Sequence, residues 1–369
     1  MSRMGKLMIS SGEKSPDMRY ASGVSTPDDI IWFQADSVKG VIASPLEFDR
    51  LKATGRCDTA VFPTDEFSGP HYLDILKCIA QRYKLDGFVV PEDFPLLMAD
   101  RLRENGLCVE AVETGFFPER EFKSSSEVAL ITQSLRAAEA GCRRAIDVLK
   151  ESDVNKDGVL VWNGEILTSE ILRSEIDCTM LRMSCLPTGT ICAGAAQGAQ
   201  PHNQGSGPLY ANTPIVMDIF PKSSLTGYWG DLTRTVVKGK AQDVVKKAFD
   251  AVFEARELAK SMLKIGADPA EIHNAAAAAM EKRGFQTGVS DAGNFGFFHG
   301  LGHGVGLDIH EAPRVSPRNP QLFRGGEVIT IEPGLYYPEW GGIRLEDMAY
   351  ISPDGNIEIL TKIETELEL

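Results

Sequence analysis

Residues 297–313 read FFHGLGHGVGLDIHEAP and hold three of the chain's six histidines, at positions 299, 303 and 310. Glycine occupies positions 300, 302, 304 and 306. Such a segment is either a loop rich in turn residues or the floor of a site, where glycines let the backbone approach metals and a ligand. It is not a phosphate-binding loop, because neither G-x-G-x-x-G nor a following Gly-Lys-Ser/Thr is present. Acidic residues in other segments decide between the two explanations.

Four carboxylates occur at positions in predicted strands where burial is expected. Asp218 interrupts the apolar segment TPIVMDIF, and Asp231 begins the alternating segment DLTRTVVKG, so the two are predicted to face each other across a hairpin. Glu332 ends the apolar segment VITIE, and Glu346 follows Arg344 by two positions in IRLED. A salt bridge or an exposed strand end explains any one of them. Four buried carboxylates in one domain, however, repel each other unless cations neutralise them.

His303 completes a set of ligands for two divalent cations such as Mn²⁺, Co²⁺ or Zn²⁺. No cysteine belongs to this set, which argues against a structural zinc site. Two metal ions about 3.5–4 Å apart can share a bridging water and convert it to hydroxide near neutral pH. The combined pattern therefore predicts metal-dependent hydrolysis of an amide bond. His273 lies alone in an alanine-rich helical segment, and we interpret it as structural.

Two domains are predicted, residues 1–120 and residues 121–369. In the first, short apolar runs alternate with helical spacing, which indicates an α/β layer. We expect this layer to serve packing and oligomerisation, and a direct functional role stays open. The segment FFPEREFKSSSE marks the linker, and its Ser124 and Glu127 fit a capping box that starts a long helix. Two further helices are predicted, KAQDVVKKAFDAVFEARELAKSMLKIG and a last one that opens with Asp268 and Pro269. Helices and antiparallel strands in the second domain predict an α+β arrangement.

Composition excludes several classes of function. The chain has 369 residues, of which 43% are hydrophobic, and a formal net charge of −14, which argues against binding nucleic acid. No apolar run approaches the roughly 20 residues of a membrane span, and Leu7–Ile9 is too short for a signal peptide. The seven cysteines include no C-x-x-C pair, so we expect reduced thiols. We therefore expect a cytoplasmic protein without nucleic-acid or membrane partners.

The segments HGLGHGVGLDIHEAP, MDIF…GDLTRT, ITIEPGLYY and GIRLEDMAYI resemble the pita-bread metallopeptidases. This family comprises Xaa-Pro aminopeptidases, Xaa-Pro dipeptidases (prolidases), methionine aminopeptidases and the non-metal creatinases. The resemblance covers residues 121–369, and SPDMRYASG is similar to the creatinase-type N-terminal domain. It implies a curved antiparallel sheet flanked by helices, preceded by an N-terminal α/β domain. It also implies a homodimer.

The resemblance implies that two divalent ions, manganese in the first place and cobalt or zinc as alternatives, bind to Asp218, Asp231, His303, Glu332 and Glu346. Asp231 and Glu346 would bridge the ions. Asp218 would complete the coordination of one ion, and His303 and Glu332 would complete that of the other. Twelve residues separate the two aspartates, whereas the family usually has ten, and we interpret the difference as a longer hairpin loop.

The same resemblance implies roles around the metals. Glu332 would take the proton from the nucleophilic water, and His310 would stabilise the tetrahedral intermediate. His202 would line the substrate site as a catalytic residue, and His299 would line the proline-side pocket. Arg344 would orient the metal ligands.

Within the family, the intact ligand set argues against a creatinase, and the size of the N-terminal domain argues against a methionine aminopeptidase. A dipeptidase has to recognise the free carboxylate of its substrate, which arginine does bidentately. Arg314, four residues after His310, matches an arginine with this task in some microbial prolidases. The sequence therefore predicts a prolidase acting on peptides with proline at the second position. An aminopeptidase P for longer peptides, or a non-catalytic binding protein, stays open as an alternative.

Overall fold

The computed structural model describes residues 2–61, 71–113, 115–291 and 293–369. The chain divides into two compact units, Met1–Arg120 and Glu121–Leu369. The strands of the first unit are β1 (Met4–Ser10), β2 (Ile30–Ala35), β3 (Val38–Ala43), β4 (Asp58–Val61), β5 (Gly87–Val90) and β6 (Cys108–Ala111). Its helices are α1 (Pro16–Ser22), α2 (Pro45–Thr54), α3 (Tyr72–Tyr83) and α4 (Leu96–Glu104).

One six-stranded sheet organises the first unit, in the order β4-β3-β2-β1-β5-β6. Strands β1, β2 and β3 pair antiparallel, and the outer pairs are parallel. Side chains of β1 alternate between two apolar cores, with Leu7 and Ile9 in one and Met8 in the other. The sequence predicted the α/β layer but not β1, because its apolar run is short.

The helices of the second unit are α5 (Ser125–Glu151), α6 (Ser169–Arg182), α7 (Asp243–Met262) and α8 (Pro269–Lys282). The predicted capping box of Ser124 and Glu127 is present at the start of α5. The Asp268 side chain accepts a hydrogen bond of 2.8 Å from the backbone N–H of Ala270, as predicted for α8. Among the described residues, none of the helices combines the length and the apolar character needed to cross a membrane.

Helix α6 was not predicted, although its sequence carried a signal. Its buried residues Leu172, Ile176 and Met180 recur at every fourth position, which is the spacing of one helix face. The Thr168 side chain caps the helix by accepting from the backbone N–H of Ile171.

The strands of the second unit are β7 (Asp153–Val154), β8 (Leu160–Trp162), β9 (Glu165–Ile166), β10 (Cys185–Leu186), β11 (Ile191–Gly194), β12 (Pro214–Ile219), β13 (Lys222–Ser223), β14 (Leu232–Val237), β15 (Gly288–Ser290), β16 (Gly293–Phe295), β17 (Gly302–Gly304), β18 (Glu311–Val315), β19 (Val328–Ile331), β20 (Gly334–Tyr337), β21 (Gly341–Arg344), β22 (Asp347–Ile351) and β23 (Ile357–Ile359). Three antiparallel sheets carry the predicted motifs, with the orders β11-β12-β14, β18-β17-β19-β22-β23 and β20-β21. This is the α+β arrangement that the sequence predicted.

Candidate metal centre

Asp218 and Asp231 lie on the same face of the sheet formed by β11, β12 and β14. Asp218 pairs with Thr233 across the antiparallel ladder, and not with Asp231. Asp231 precedes Thr233 by two positions, and side chains two positions apart share a face. The aspartates are therefore diagonal neighbours, where the sequence predicted directly facing ones. The connection between them contains β13, which pairs with β10 outside this sheet.

Glu332 and Glu346 lie at the same level of a long, interrupted hairpin. Strand β19 pairs with β22 up to the pair of Ile331 with Asp347, and β20 pairs with β21 from Gly334 with Arg344 onward. Each glutamate occupies the interruption between these two ladders. Because both ladders are interrupted here, Glu332 and Glu346 lie outside the regular pairing at the same level of the hairpin.

His303 faces the carboxylates from β17. Its Nδ1 atom lies 3.2 Å from the carbonyl oxygen of Gly304, which only accepts, so Nδ1 carries a proton. Its Nε2 atom lies 3.3 Å from Oε1 of Glu332 and 3.6 Å from Oδ2 of Asp231. Nε2 therefore either carries a second proton or presents its lone pair to a cation. The ligand atoms of Asp231, His303 and Glu346 lie within 4.8 Å of one another.

Arg344 holds Asp218 at the edge of this cluster. The Arg344 Nη2 atom donates to Oδ2 of Asp218 over 2.6 Å and to the carbonyl oxygen of Pro201 over 3.3 Å. Its Nη1 donates to the Tyr336 hydroxyl over 2.9 Å, and its Nε donates to Oγ1 of Thr233 over 3.2 Å. Arg344 is 3% exposed, so its hydrogen bonds fix its position among the buried acids.

Burial and mutual repulsion govern the electrostatics of the cluster. Burial raises the pKa of Asp231 well above its usual range, and the charges of Glu346 and Asp218 raise it further. Burial likewise raises the pKa of Glu346, with Glu332 and Asp218 adding to the shift. For Glu332, the hydrogen bond and charge of His303 outweigh burial and lower the pKa to about 2. Arg344 offsets only one of the four carboxylate charges, so the carboxylates repel each other when they are ionised.

The cluster lines a cavity of about 1030 Å³. The four predicted substrate-side residues also line it, namely His202, His299, His310 and Arg314. The rings of His310 and His303 are edge to face, with centroids 4.4 Å apart. Burial, His303 and Arg314 lower the pKa of His310 to about 4, which keeps its ring neutral at pH 7. The structure thus brings all the predicted site residues to one cavity.

A family model described as metallopeptidase family M24 matches residues 129–353, which is more than half of the chain. The chain belongs to metallopeptidase family M24.

Two Xaa-Pro dipeptidases are among the proteins to which part of this chain is similar. The Xaa-Pro dipeptidase of Pyrococcus furiosus is 36% identical over 179 residues, covering 48% of this chain and 48% of the relative. The Xaa-Pro dipeptidase of Pyrococcus horikoshii is 30% identical over 249 residues, covering 67% of this chain and 64% of the relative. The alignments thus span less than two thirds of the length of these relatives.

Solved structures match almost the whole chain. The X-Pro aminopeptidase of Thermotoga maritima has a TM-score of 0.82 at 22% identity, covering 99% of this chain and 97% of the other. The prolidase of Pyrococcus horikoshii has a TM-score of 0.80 at 24% identity, covering 99% and 95%. These likenesses confirm the predicted fold, a pita-bread unit in a two-domain α+β chain.

Membership in family M24 implies divalent metal ions, and the donor set fits them. Asp231, His303 and Glu346 bring two carboxylates and an imidazole together, which are ligands that borderline and hard divalent cations accept. The repulsion among the buried carboxylates is a second reason, because a bound cation relieves it.

Thr233 is a residue of this M24 site that the sequence did not predict. Its hydroxyl donates to Oε2 of Glu346 over 2.7 Å and accepts from Arg344, so it fixes both side chains. Alternation in the segment DLTRT places Thr233 on the face of Asp231, and this was the available signal. Tyr336 was missed as well, although it follows Glu332 by only four positions.

His299 has both ring nitrogens engaged within the protein. Its Nδ1 donates to the carbonyl oxygen of Gly300 over 2.7 Å, so its Nε2 accepts from the Tyr336 hydroxyl over 2.9 Å. The same hydroxyl accepts from Arg344. His299 therefore lines the cavity with its carbon edge and face, and it belongs to a hydrogen-bonded chain that ends at Asp218.

Glycine is needed at the two ends of β17 for a reason that differs from the predicted one. A Cβ atom on Gly302 would lie 1.9 Å from the carbonyl oxygen of Thr330, and one on Gly304 would lie 2.1 Å from that of Ala312. These glycines are thus required by close contact with the neighbouring strands. The sequence interpretation, in which they let the backbone approach metals and peptide, was wrong for these two positions.

Proposed function

We propose that the chain is an Xaa-Pro dipeptidase, a prolidase, that hydrolyses the bond before a proline at the second position of its substrate. The observation that carries the proposal is the convergence of Asp231, His303, Glu332 and Glu346 at one buried point of a large cavity. Two relatives are Xaa-Pro dipeptidases, which supports the same substrate class.

Two divalent ions, manganese in our proposal, would be held by Asp218, Asp231, His303, Glu332 and Glu346. When bound, such ions supply activation of water and polarisation of the scissile carbonyl group. Arg344 and Thr233 keep the ligands oriented, because each donates to a carboxylate through a short hydrogen bond.

Glu332 would accept the proton of the attacking water. The hydrogen bond and charge of His303 outweigh burial and lower the pKa of Glu332 in the metal-free site, and bound cations would likewise favour its ionised form, which is able to accept a proton. His310 lies beside His303 with a neutral ring, and its N–H would donate to the oxyanion that develops on the scissile carbonyl. His202 lines the same cavity and would contact the substrate.

Recognition of the dipeptide would involve Arg314 on β18. Among the described residues, no carboxylate forms an ion pair with its guanidinium, which leaves it available for a free C-terminal carboxylate. Phe297 and Phe298 form an apolar wall of the cavity, and such a wall suits the pyrrolidine ring of proline. His299 packs against both rings and lines the same wall.

The test is a comparison of Ala-Pro with Ala-Pro-Ala as substrates of the protein supplied with Mn²⁺. A prolidase hydrolyses the dipeptide and leaves the tripeptide almost untouched. Efficient cleavage of the tripeptide would instead establish an aminopeptidase P. Hydrolysis of neither peptide would overturn both activities and favour a binding protein.

Aminopeptidase P is the second candidate, and the size of the cavity favours it. A volume of about 1030 Å³ lies at the upper end for sites that hold small ligands, so it accommodates more than a dipeptide. The complete ligand set argues against a protein that has lost catalysis. From the resemblance we also propose a homodimer, and from the composition of the sequence a cytoplasmic location.

A further inference from the structure

His273 lies on α8 and lines the same cavity as the metal cluster. Its ring stacks on that of Phe297, with centroids 5.1 Å apart and an angle of 28° between the planes. From the sequence we assigned it a structural role, because it is the one histidine in an alanine-rich helix. Its position on the cavity wall makes a contact with the substrate possible, and the state of its two nitrogens decides what that contact can be.

The two nitrogens of His273 have different surroundings. The Nδ1 atom is sealed from solvent and has no hydrogen-bond partner among the described residues. A neutral imidazole carries a single N–H, and a proton on Nδ1 would bury an unpaired donor, which is rare in proteins. Burial and the neighbouring His299 lower the pKa of the ring to about 4, so it stays neutral. The proton therefore belongs on Nε2, the other nitrogen of a ring that lines the cavity.

His273 and His299 both contact Phe297, but they differ in what they offer a ligand. His299 uses its N–H on Gly300 and its lone pair on Tyr336. His273 makes no hydrogen bond within the described part of the chain, so its N–H is available. The aromatic wall thus presents one free donor.

The chemistry of proline determines what this donor can meet. A proline residue in an Xaa-Pro dipeptide has no N–H, and its ring is apolar. The ring suits the wall of Phe297 and Phe298, and the remaining polar group of the residue is its own carboxyl group. A donor beside the ring therefore meets a carboxylate oxygen, and a hydrogen bond to an ionised acceptor is stronger than a neutral one.

We propose that His273 is a further substrate-binding residue, whose Nε2–H donates to the carboxyl group of the substrate's proline. This inference rests on the proposed function, since it names a contact of the same substrate in the same cavity. It assigns His273 to binding of the ground state, and the reacting atoms lie elsewhere.

The test compares the wild-type protein with His273→Phe, which keeps a ring for stacking, and His273→Gln, whose side-chain amide nitrogen can replace Nε2. We expect His273→Phe to raise KM for Ala-Pro about tenfold and to leave kcat within about twofold, because one hydrogen bond to a charged group is lost. His273→Gln should recover most of the affinity. Asn274→Gln, an exposed change on the same helix, is the matched control and should leave KM unchanged.

Two further measurements distinguish a substrate-binding role of His273 from a structural role. The melting temperature of His273→Phe should equal or exceed that of the wild type, because the variant removes a buried nitrogen without a partner. Ala-pyrrolidide lacks the carboxyl group, so its inhibition constant against Ala-Pro hydrolysis should be the same for wild type and His273→Phe. If the phenylalanine variant does not fold, His273→Leu provides the same comparison.

An unchanged KM in a folded variant lacking the donor overturns the contact and leaves the proposed function intact. Equal losses of affinity for Ala-Pro and Ala-pyrrolidide also overturn it, because the effect would then not involve the carboxyl group. If the wild type hydrolyses no Xaa-Pro peptide, the proposed function fails, and the contact fails with it.

Discussion

Replacing Glu346 by glutamine should make the metal-free protein more stable than the metal-free wild type. In the presence of metal, the variant should be less stable than the wild type. Ligand atoms of Glu346 and Asp231 lie within 4.8 Å of each other in a buried cluster. At an effective dielectric constant of about 20, two unit charges at this separation repel by about 3.5 kcal/mol. Protonation relieves part of this repulsion, since the pKa of each group is raised. We therefore expect Glu346→Gln to gain about 1–3 kcal/mol in the chelated protein.

The sign of the pH dependence follows from the same shifts. Because the folded pKa values of Asp231 and Glu346 are raised, the folded chain binds more protons than the unfolded chain above a pH of about 4. The chelated wild-type protein should therefore lose stability as the pH rises from there toward the raised values. Glu346→Gln should make this decline shallower.

The assay is calorimetric melting of wild type and Glu346→Gln, each with a chelator and with excess Mn²⁺. At a metal concentration about 1,000 times Kd, binding stabilises the wild type by about 4 kcal/mol. For a unit of this size, each kcal/mol changes the melting temperature by about 2–4 °C. The variant should melt higher than wild type in chelator and lower in Mn²⁺. Glu358→Gln, on an exposed position of β23, should change neither value. A variant that melts lower in chelator would refute the electrostatic reasoning.

Three further changes test other parts of the site. Thr233→Val removes the hydroxyl that donates to Glu346 and should lower metal affinity by about 10–100-fold in a calorimetric titration, with Thr233→Ser restoring it. Gly302→Ala places a Cβ 1.9 Å from a carbonyl oxygen of β19 and should cost about 3 kcal/mol in denaturant unfolding, whereas Gly300→Ala, with 3.6 Å to its nearest neighbour, should be tolerated. Arg314→Gln should raise KM for Ala-Pro by about 10-fold or more, but not for Ala-Pro amide, and equal effects on both would contradict its role.

The acidic residues of the cluster could be selected from the sequence, because an acidic residue inside an apolar strand is visible without coordinates. Asp218 in TPIVMDIF and Glu332 at the end of VITIE are examples. The cap of α8 at Asp268 was equally visible, because it depends on adjacent residues. These features are local, and local chemistry determines them.

Features that depend on long-range pairing could not be predicted in this way. The register that sets Asp218 opposite Thr233 is decided by two strands and the connection between them. The steric reason for Gly302 lies in β19, 28 positions further along the chain. The surroundings of His273 also depend on long-range packing, because its ring stacks on Phe297, which lies outside α8. In each case the residue type was visible, but its partner was not.

The most direct measurement of the central claim is hydrolysis of Ala-Pro by chelated protein resupplied with Mn²⁺, for wild type and Glu332→Gln. We expect turnover by the wild type in Mn²⁺ and none in chelator. Glu332→Gln should keep its fold but lose activity by about 10²–10⁴-fold, the range for removing a general base. Retained turnover in Glu332→Gln would contradict the assigned role of Glu332, and an inactive wild type would contradict the account as a whole.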